Sequence, residues 1–206
     1  MQVAIGGTHG SQAKISGNRL IRTGGVTPII AVKNDSDVTI ENNDINGGGV
    51  AAILVQSKAR ISQIRFNVTG DKQGNAVWVW EGSSVIISGN NFDGFRAAVN
   101  ASKAILTVTG NSITRFQRIA ITVKDSLKPA HIYGNRATTA DRQAKVIEMD
   151  GPAGVVDLNE LTYEQKTTYI NNSVSMEKPM KLASKPLSTK TYARIRIKGM
   201  ASIRQK

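Results

Sequence analysis

The sequence predicts an all-β fold, a right-handed parallel β-helix of about seven coils stacked as a solenoid with an asparagine ladder along one corner. Three observations carry that prediction. An aliphatic residue followed three positions later by asparagine recurs seven times; apolar residues alternate with a period of two in the segments between; and glycine, asparagine and serine fill the gaps. A period of two nested in one near 24 describes short strands repeated coil after coil, and helical spacing fits it poorly.

The corner motif reads Ile15-Ser16-Gly17-Asn18, Ile40-Glu41-Asn42-Asn43, Ile64-Arg65-Phe66-Asn67, Ile87-Ser88-Gly89-Asn90, Val108-Thr109-Gly110-Asn111, Ile132-Tyr133-Gly134-Asn135 and Val156-Asp157-Leu158-Asn159. Its asparagines are 25, 24, 23, 21, 24 and 24 residues apart. Two positions further on stand Leu20, Ile45, Phe92, Ile113, Ala137 and Leu161. The third coil departs, with Val68 one residue early and Thr69 in the expected place, so a bulge or slip is expected there. A second strand precedes each later corner, with inward pairs Ile30/Val32, Ile53/Val55, Val77/Val79, Ala97/Val99, Ile121/Val123 and Ile147/Met149.

One coil cannot bury its own aliphatic face. Stacked coils can, because each strand bonds in parallel to its equivalents about 4.8 Å above and below. Several buried aliphatics per coil, at about 1.5–3 kcal/mol each, then offset the entropy of ordering so much turn backbone. The asparagines Asn18, Asn43, Asn67, Asn90, Asn111, Asn135 and Asn159 are expected to bond to one another and to corner backbone, satisfying polar atoms that stacking buries. Right-handedness follows from the usual sense of parallel crossovers.

The 206 residues include no cysteine, which excludes disulfides, thiolate nucleophiles and thiolate metal sites, and only two histidines, His9 and His131. No metal site is expected. No basic-then-apolar leader and no run long enough to span a bilayer is visible, so membrane insertion is not expected. The net charge of +12 is uneven: residues 1–165 carry 17 basic against 14 acidic residues, net +3, and residues 166–206 carry 10 against 1, net +9. Residues 1–165 therefore read as the solenoid and 166–206 as a basic C-terminal arm or cap. Lys178-Pro179 and Lys185-Pro186 punctuate the arm, and Tyr192–Lys198 alternates basic with apolar residues, as a strand with one cationic face would. An open N-terminal coil implies a covering chain or a longer parent protein.

The segments Gly74–Val79 and Val85–Phe92 resemble the parallel β-helix repeat of the pectin-lyase-like superfamily, over roughly residues 5–165. That superfamily includes pectate lyases, polygalacturonases, alginate lyases and epimerases, and phage tailspikes. The resemblance implies a substrate groove along the outer face of the strand before the asparagine corner. Alternation then puts Ala31, Leu54, Trp78, Ala98, Thr122 and Glu148 in one outward row, and Lys33, Gln56, Trp80, Asn100, Lys124 and Asp150 in the next. Trp78 and Trp80 are candidate platforms for sugar rings. Lys33, Gln56, Asn100 and Lys124 are candidates for binding hydroxyl or carboxylate groups.

Catalysis has weaker support. Hydrolases of the superfamily need clustered carboxylates, and lyases need an acidic calcium site beside a base. The candidates are Lys124, Glu148 and Asp150, near the end of the stack. No cofactor is expected, except calcium if the protein is a lyase. The reading is thus a noncatalytic β-helix module that binds a carbohydrate or builds a cell-surface or virion assembly, tailspike-like. The alternative is a lyase, hydrolase or epimerase acting on an acidic glycan such as pectate or alginate. Expected partners are an acidic polysaccharide or an acidic protein surface, with a trimer as a candidate homo-oligomer. Nucleic-acid binding is not expected, since the arm offers only Tyr192 for stacking. An extracellular, cell-surface or virion location is favoured.

Overall fold

The computed structural model describes residues 3–22, 26–47, 49–69, 74–141 and 143–150, and strands Ala153–Asp157, Asn159–Tyr163, Lys166–Ile170 and Ile195–Lys198; for these four strands and Arg60–Thr69 the description is of the backbone. Two sheets account for every strand. The first stacks Ile5–Gly7, Ile30–Val32, Ala51–Val55, Asn75–Trp80, Ala97–Ser102, Ile119–Lys124, Lys145–Asp150 and finally Ile195–Lys198, all in parallel. Up to Asp150, each strand pairs with its equivalent 22 to 26 residues further on, as Ile30 does with Ile53 and Ile121 with Ile147. That is a parallel solenoid, and no helix occurs among the described residues.

The second sheet runs on both sides of the asparagine corner. Gln12–Ser16, Ser84–Ser88, Ile105–Thr109 and Ala130–Tyr133 lead into it, and Arg19–Ile21, Asn91–Asp93, Ser112–Thr114 and Arg136–Thr139 leave it. Asp37–Asn46 and Arg60–Thr69 run straight through and join the two halves. The stack amounts to about five full turns, fewer than the seven coils that the asparagines suggest. Its ends are abbreviated: Ile5–Gly7 and Ile30–Val32 are three residues each, and Lys166–Ile170 reverses to pair antiparallel with Asn159–Tyr163.

The inward residues form vertical files. Ile30, Ile53, Val77, Val99, Ile121 and Ile147 lie in register on successive coils and are 0–1 % exposed. Phe92, Phe95 and Phe116 are the largest of the fully buried side chains among the described residues. Ala76 and Val77 are both in the core, as are Ala98/Val99, Ala120/Ile121 and Val146/Ile147.

At the asparagine corner, the Asn111 Nδ2 donates to Asn135 Oδ1 at 2.9 Å and to the Ile87 and Thr109 carbonyls at 3.0 and 3.1 Å. Its Oδ1 accepts from Asn90 Nδ2 at 2.8 Å and from the Asn90 backbone N–H at 2.9 Å. Asn18 and Asn43 repeat the arrangement at 2.9 Å. The preceding residue has left-handed backbone, Gly17, Asn42, Gly89, Gly110 and Gly134 lying at φ 68°, 53°, 63°, 62° and 63°. In the third coil Phe66 stands at that position, and a bulky side chain makes left-handed backbone costly. Asn67 is accordingly out of the ladder's register: Asn43 pairs with Phe66, while Asn67 pairs with Asp44 and Asn91. The expected irregularity lies in this strand, where the register shifts between Ile61 and Ile64. The side chain of Asn159 lies outside the described residues.

The corner that ends the first sheet is built differently. Asn34-Asp35, Ser57-Lys58 and Glu81-Gly82 are each a left-handed pair, with φ of 54°/59°, 58°/62° and 53°/79°. The buried hydroxyls of Ser36 and Ser83 close the turn by donating to the Lys33 and Trp80 carbonyls at 2.7 and 2.6 Å.

Candidate functional site

Residues on either side of the buried pairs Ala76/Val77, Ala98/Val99 and Ala120/Ile121 line a common cleft of ≈ 400 Å³. It is lined by Asn75, Ala97 and Ile119, by the register row of Trp78, Asn100, Thr122 and Glu148, and by Arg96, Arg118 and Lys124. Arg118 N–H donates to the Arg96 carbonyl at 3.0 Å, which fixes the two arginines on adjacent coils, about 4.8 Å apart along the stack.

Register corrects the expected rows. Asn100 pairs with Trp78 and Thr122, and Ser102 pairs with Trp80 and Lys124. Asn100 therefore belongs with Trp78, not Trp80, and Ala98, expected to face outward, is fully buried. The reason is that Ala97, Val99 and Ala101 alternate over three inward-compatible positions, and the coil uses Val99 and Ala101 where Ala97 and Val99 were expected. Lys33 and Gln56 do not line the cleft. They follow the strands at the corner, where their backbone N–H groups donate to Gly7 O at 2.8 Å and Val32 O at 3.0 Å.

Trp78 and Trp80 stack on each other, with ring centroids 5.4 Å apart and an interplanar angle of 11°. Each ring gives one face to its neighbour, so they act as one aromatic wall instead of two independent platforms. Trp78 borders the cleft; Trp80, 37 % exposed, stands outside it.

Of the candidate catalytic groups, Lys124 and Glu148 border the cleft and Asp150 does not. Asp150 is the register partner of Lys124, and Glu148 is ion-paired with Lys145 at 3.2 Å. Among the described residues no group of three His, Asp or Glu side chains lies close enough together to hold a metal ion. Arg96 and Arg118 escaped the sequence reading because they stand in turns. The signal was available, since each immediately precedes the equivalent strand residue, Ala97 or Ile119.

The family model described as "right handed beta helix region" matches residues 3–175. The chain belongs to this family. No curated protein and no solved structure matches it. As a right-handed β-helix it has the general fold of the pectin-lyase-like proteins that its repeat resembles, and the assignment concerns architecture, not chemistry. Among the described residues of this β-helix protein, no helix is long and apolar enough to cross a membrane.

Proposed function

We propose that this β-helix is a noncatalytic module that holds an anionic polysaccharide along the outer face of its first sheet, as part of a surface or virion assembly. One observation carries the reading: Trp78, the polar residues Asn100 and Thr122, and the cations Arg96, Arg118 and Lys124 all border a single cleft. Aromatic faces take the apolar faces of sugar rings, amides and hydroxyls bond to sugar hydroxyls, and guanidinium groups bind carboxylates in a fork geometry. Among the described residues no ion pair engages Arg96, Arg118 or Lys124.

Binding to hyaluronan, alginate and polygalacturonate, measured by calorimetry at low salt, tests this. Trp78→Ala and Arg118→Gln are each expected to weaken binding about tenfold, a loss near 1.4 kcal/mol. Retention unchanged in both variants would remove the cleft from consideration.

The polysaccharide lyase or hydrolase reading keeps one supporting observation, that Lys124 and Glu148 border the same cleft. The pairing of Glu148 with Lys145 weighs against a free acid there. Unsaturated product or new reducing ends, abolished by Lys124→Ala or Glu148→Ala, would favour the enzyme.

A further inference from the structure

The first sheet continues past Asp150. Ile195–Lys198 adds to its last coil in parallel, pairing Ile147 with Ile195, Glu148 with Arg196, Met149 with Ile197 and Asp150 with Lys198. In a parallel ladder, register partners occupy the same row of the sheet. The row of Trp78, Asn100, Thr122 and Glu148 thus runs on to the position of Arg196, and the row of Trp80, Ser102, Lys124 and Asp150 to that of Lys198. Ile195 and Ile197 take the register positions next to Ile147 and Met149, whose side chains are fully buried. Alternation in the arm therefore matches this edge twice, apolar beside apolar and cation beside anion.

We infer that the C-terminal strand is the last subsite of the ligand-binding face, which makes the arm part of the groove. This rests on the anionic-glycan reading and resolves a difficulty within it. Without the arm, the ends of these two rows hold Lys124 against Glu148 and Asp150, net −1, which an anionic chain would meet. With Arg196 and Lys198 at the next positions of the same rows, three cations stand against two anions, net +1, so the end of the face changes sign.

The test uses the full chain and the anionic glycan that binds it best, titrated at about 10 mM and about 1 M salt, where the screening length falls from about 30 to about 3 Å. Arg196→Gln with Lys198→Gln is expected to weaken binding about three- to tenfold at low salt, with the difference vanishing at high salt and the melting temperature held within a few degrees. Ile195→Asp with Ile197→Asp, which undocks the strand, is expected to lose the same affinity. Arg204→Gln with Lys206→Gln removes equal charge outside the strand and is expected to bind as wild type does. Wild-type affinity in the Arg196/Lys198 variant overturns the subsite and leaves the cleft standing; equal weakening in the Arg204/Lys206 variant overturns it as a mere net-charge effect. Absence of binding by the wild type to every anionic glycan overturns both readings.

Discussion

Replacing Asn111 with alanine removes the rung between Asn90 and Asn135, and the structure sets the size of the loss. Asn111 is 1 % exposed, so water cannot replace what the amide supplies. Its Oδ1 takes two hydrogens, from Asn90 N and Asn90 Nδ2, and its Nδ2 serves Asn135 Oδ1 and the Ile87 carbonyl. A buried polar group left without its partner costs about 1–3 kcal/mol, and two or three groups lose their best partner here. The expected destabilisation is about 3–5 kcal/mol. Asn18→Ala is the internal control: Asn18 is only half-buried, at the first rung, and donates at 3.0 Å or less to Asn43 Oδ1 and Ser16 O. Its loss is expected to cost about 1 kcal/mol, because water reaches the groups it leaves. Equilibrium urea unfolding of both variants measures the difference. A loss for Asn111→Ala below about 1 kcal/mol, or equal to that of Asn18→Ala, would refute the idea that amide-to-amide bonding holds the corner.

Two further outcomes follow from other parts of the molecule. A Cβ on Gly74 would lie 2.2 Å from the Gly49 carbonyl oxygen, so Gly74→Ala must displace backbone and is expected to lower stability by about 1–3 kcal/mol in the same urea assay; a neutral result would mean that the coils slide freely at that point. Asp93 accepts from Arg115 Nε at 2.6 Å and from Thr114 Oγ1 at 2.8 Å. The Arg115 hydrogen bond above all, opposed by partial burial and aided by Thr114 and the Arg115 charge, holds its carboxyl below the usual 3.8. A folded-state value below the unfolded one gives stability that is present above the unfolded value and fades as pH falls through the folded one. The melting-temperature gap between wild type and Asp93→Asn should therefore be widest near neutral pH and close as pH drops below about 4; a gap independent of pH would contradict the pairing.

Much of the architecture was legible because the solenoid repeats its chemistry. The rungs Asn18, Asn43, Asn90, Asn111 and Asn135 are visible in sequence because a corner needs both an amide and a residue tolerant of left-handed backbone, and Gly or Asn stands before each. The same rule, applied strictly, would have taken Asn67 out of the ladder, since Phe66 breaks it. The row position of Asn100 was not legible. Ala97, Val99 and Ala101 satisfy the period of two in either of two frames, and only pairing with Val77 and Ile121 decides between them. Arg96 and Arg118 were hidden for another reason, because turn residues carry no alternation and their place depends on where the neighbouring coils lie. The docking of Ile195–Lys198 on Ile147–Asp150 spans a long stretch of sequence and is announced locally only by an apolar-basic alternation that many partners would suit.

Along Asn90, Asn111 and Asn135 each link runs from the amide nitrogen of one coil to the amide oxygen of the next, so the column has a direction and these links are chemically alike. A whole coil inserted or deleted at such a link finds the same acceptor on one side and the same donor on the other. Length is therefore a free variable of this design, adjustable in steps of one repeat, and the reach of the outer face would scale with it while the rest of the molecule stayed as it is.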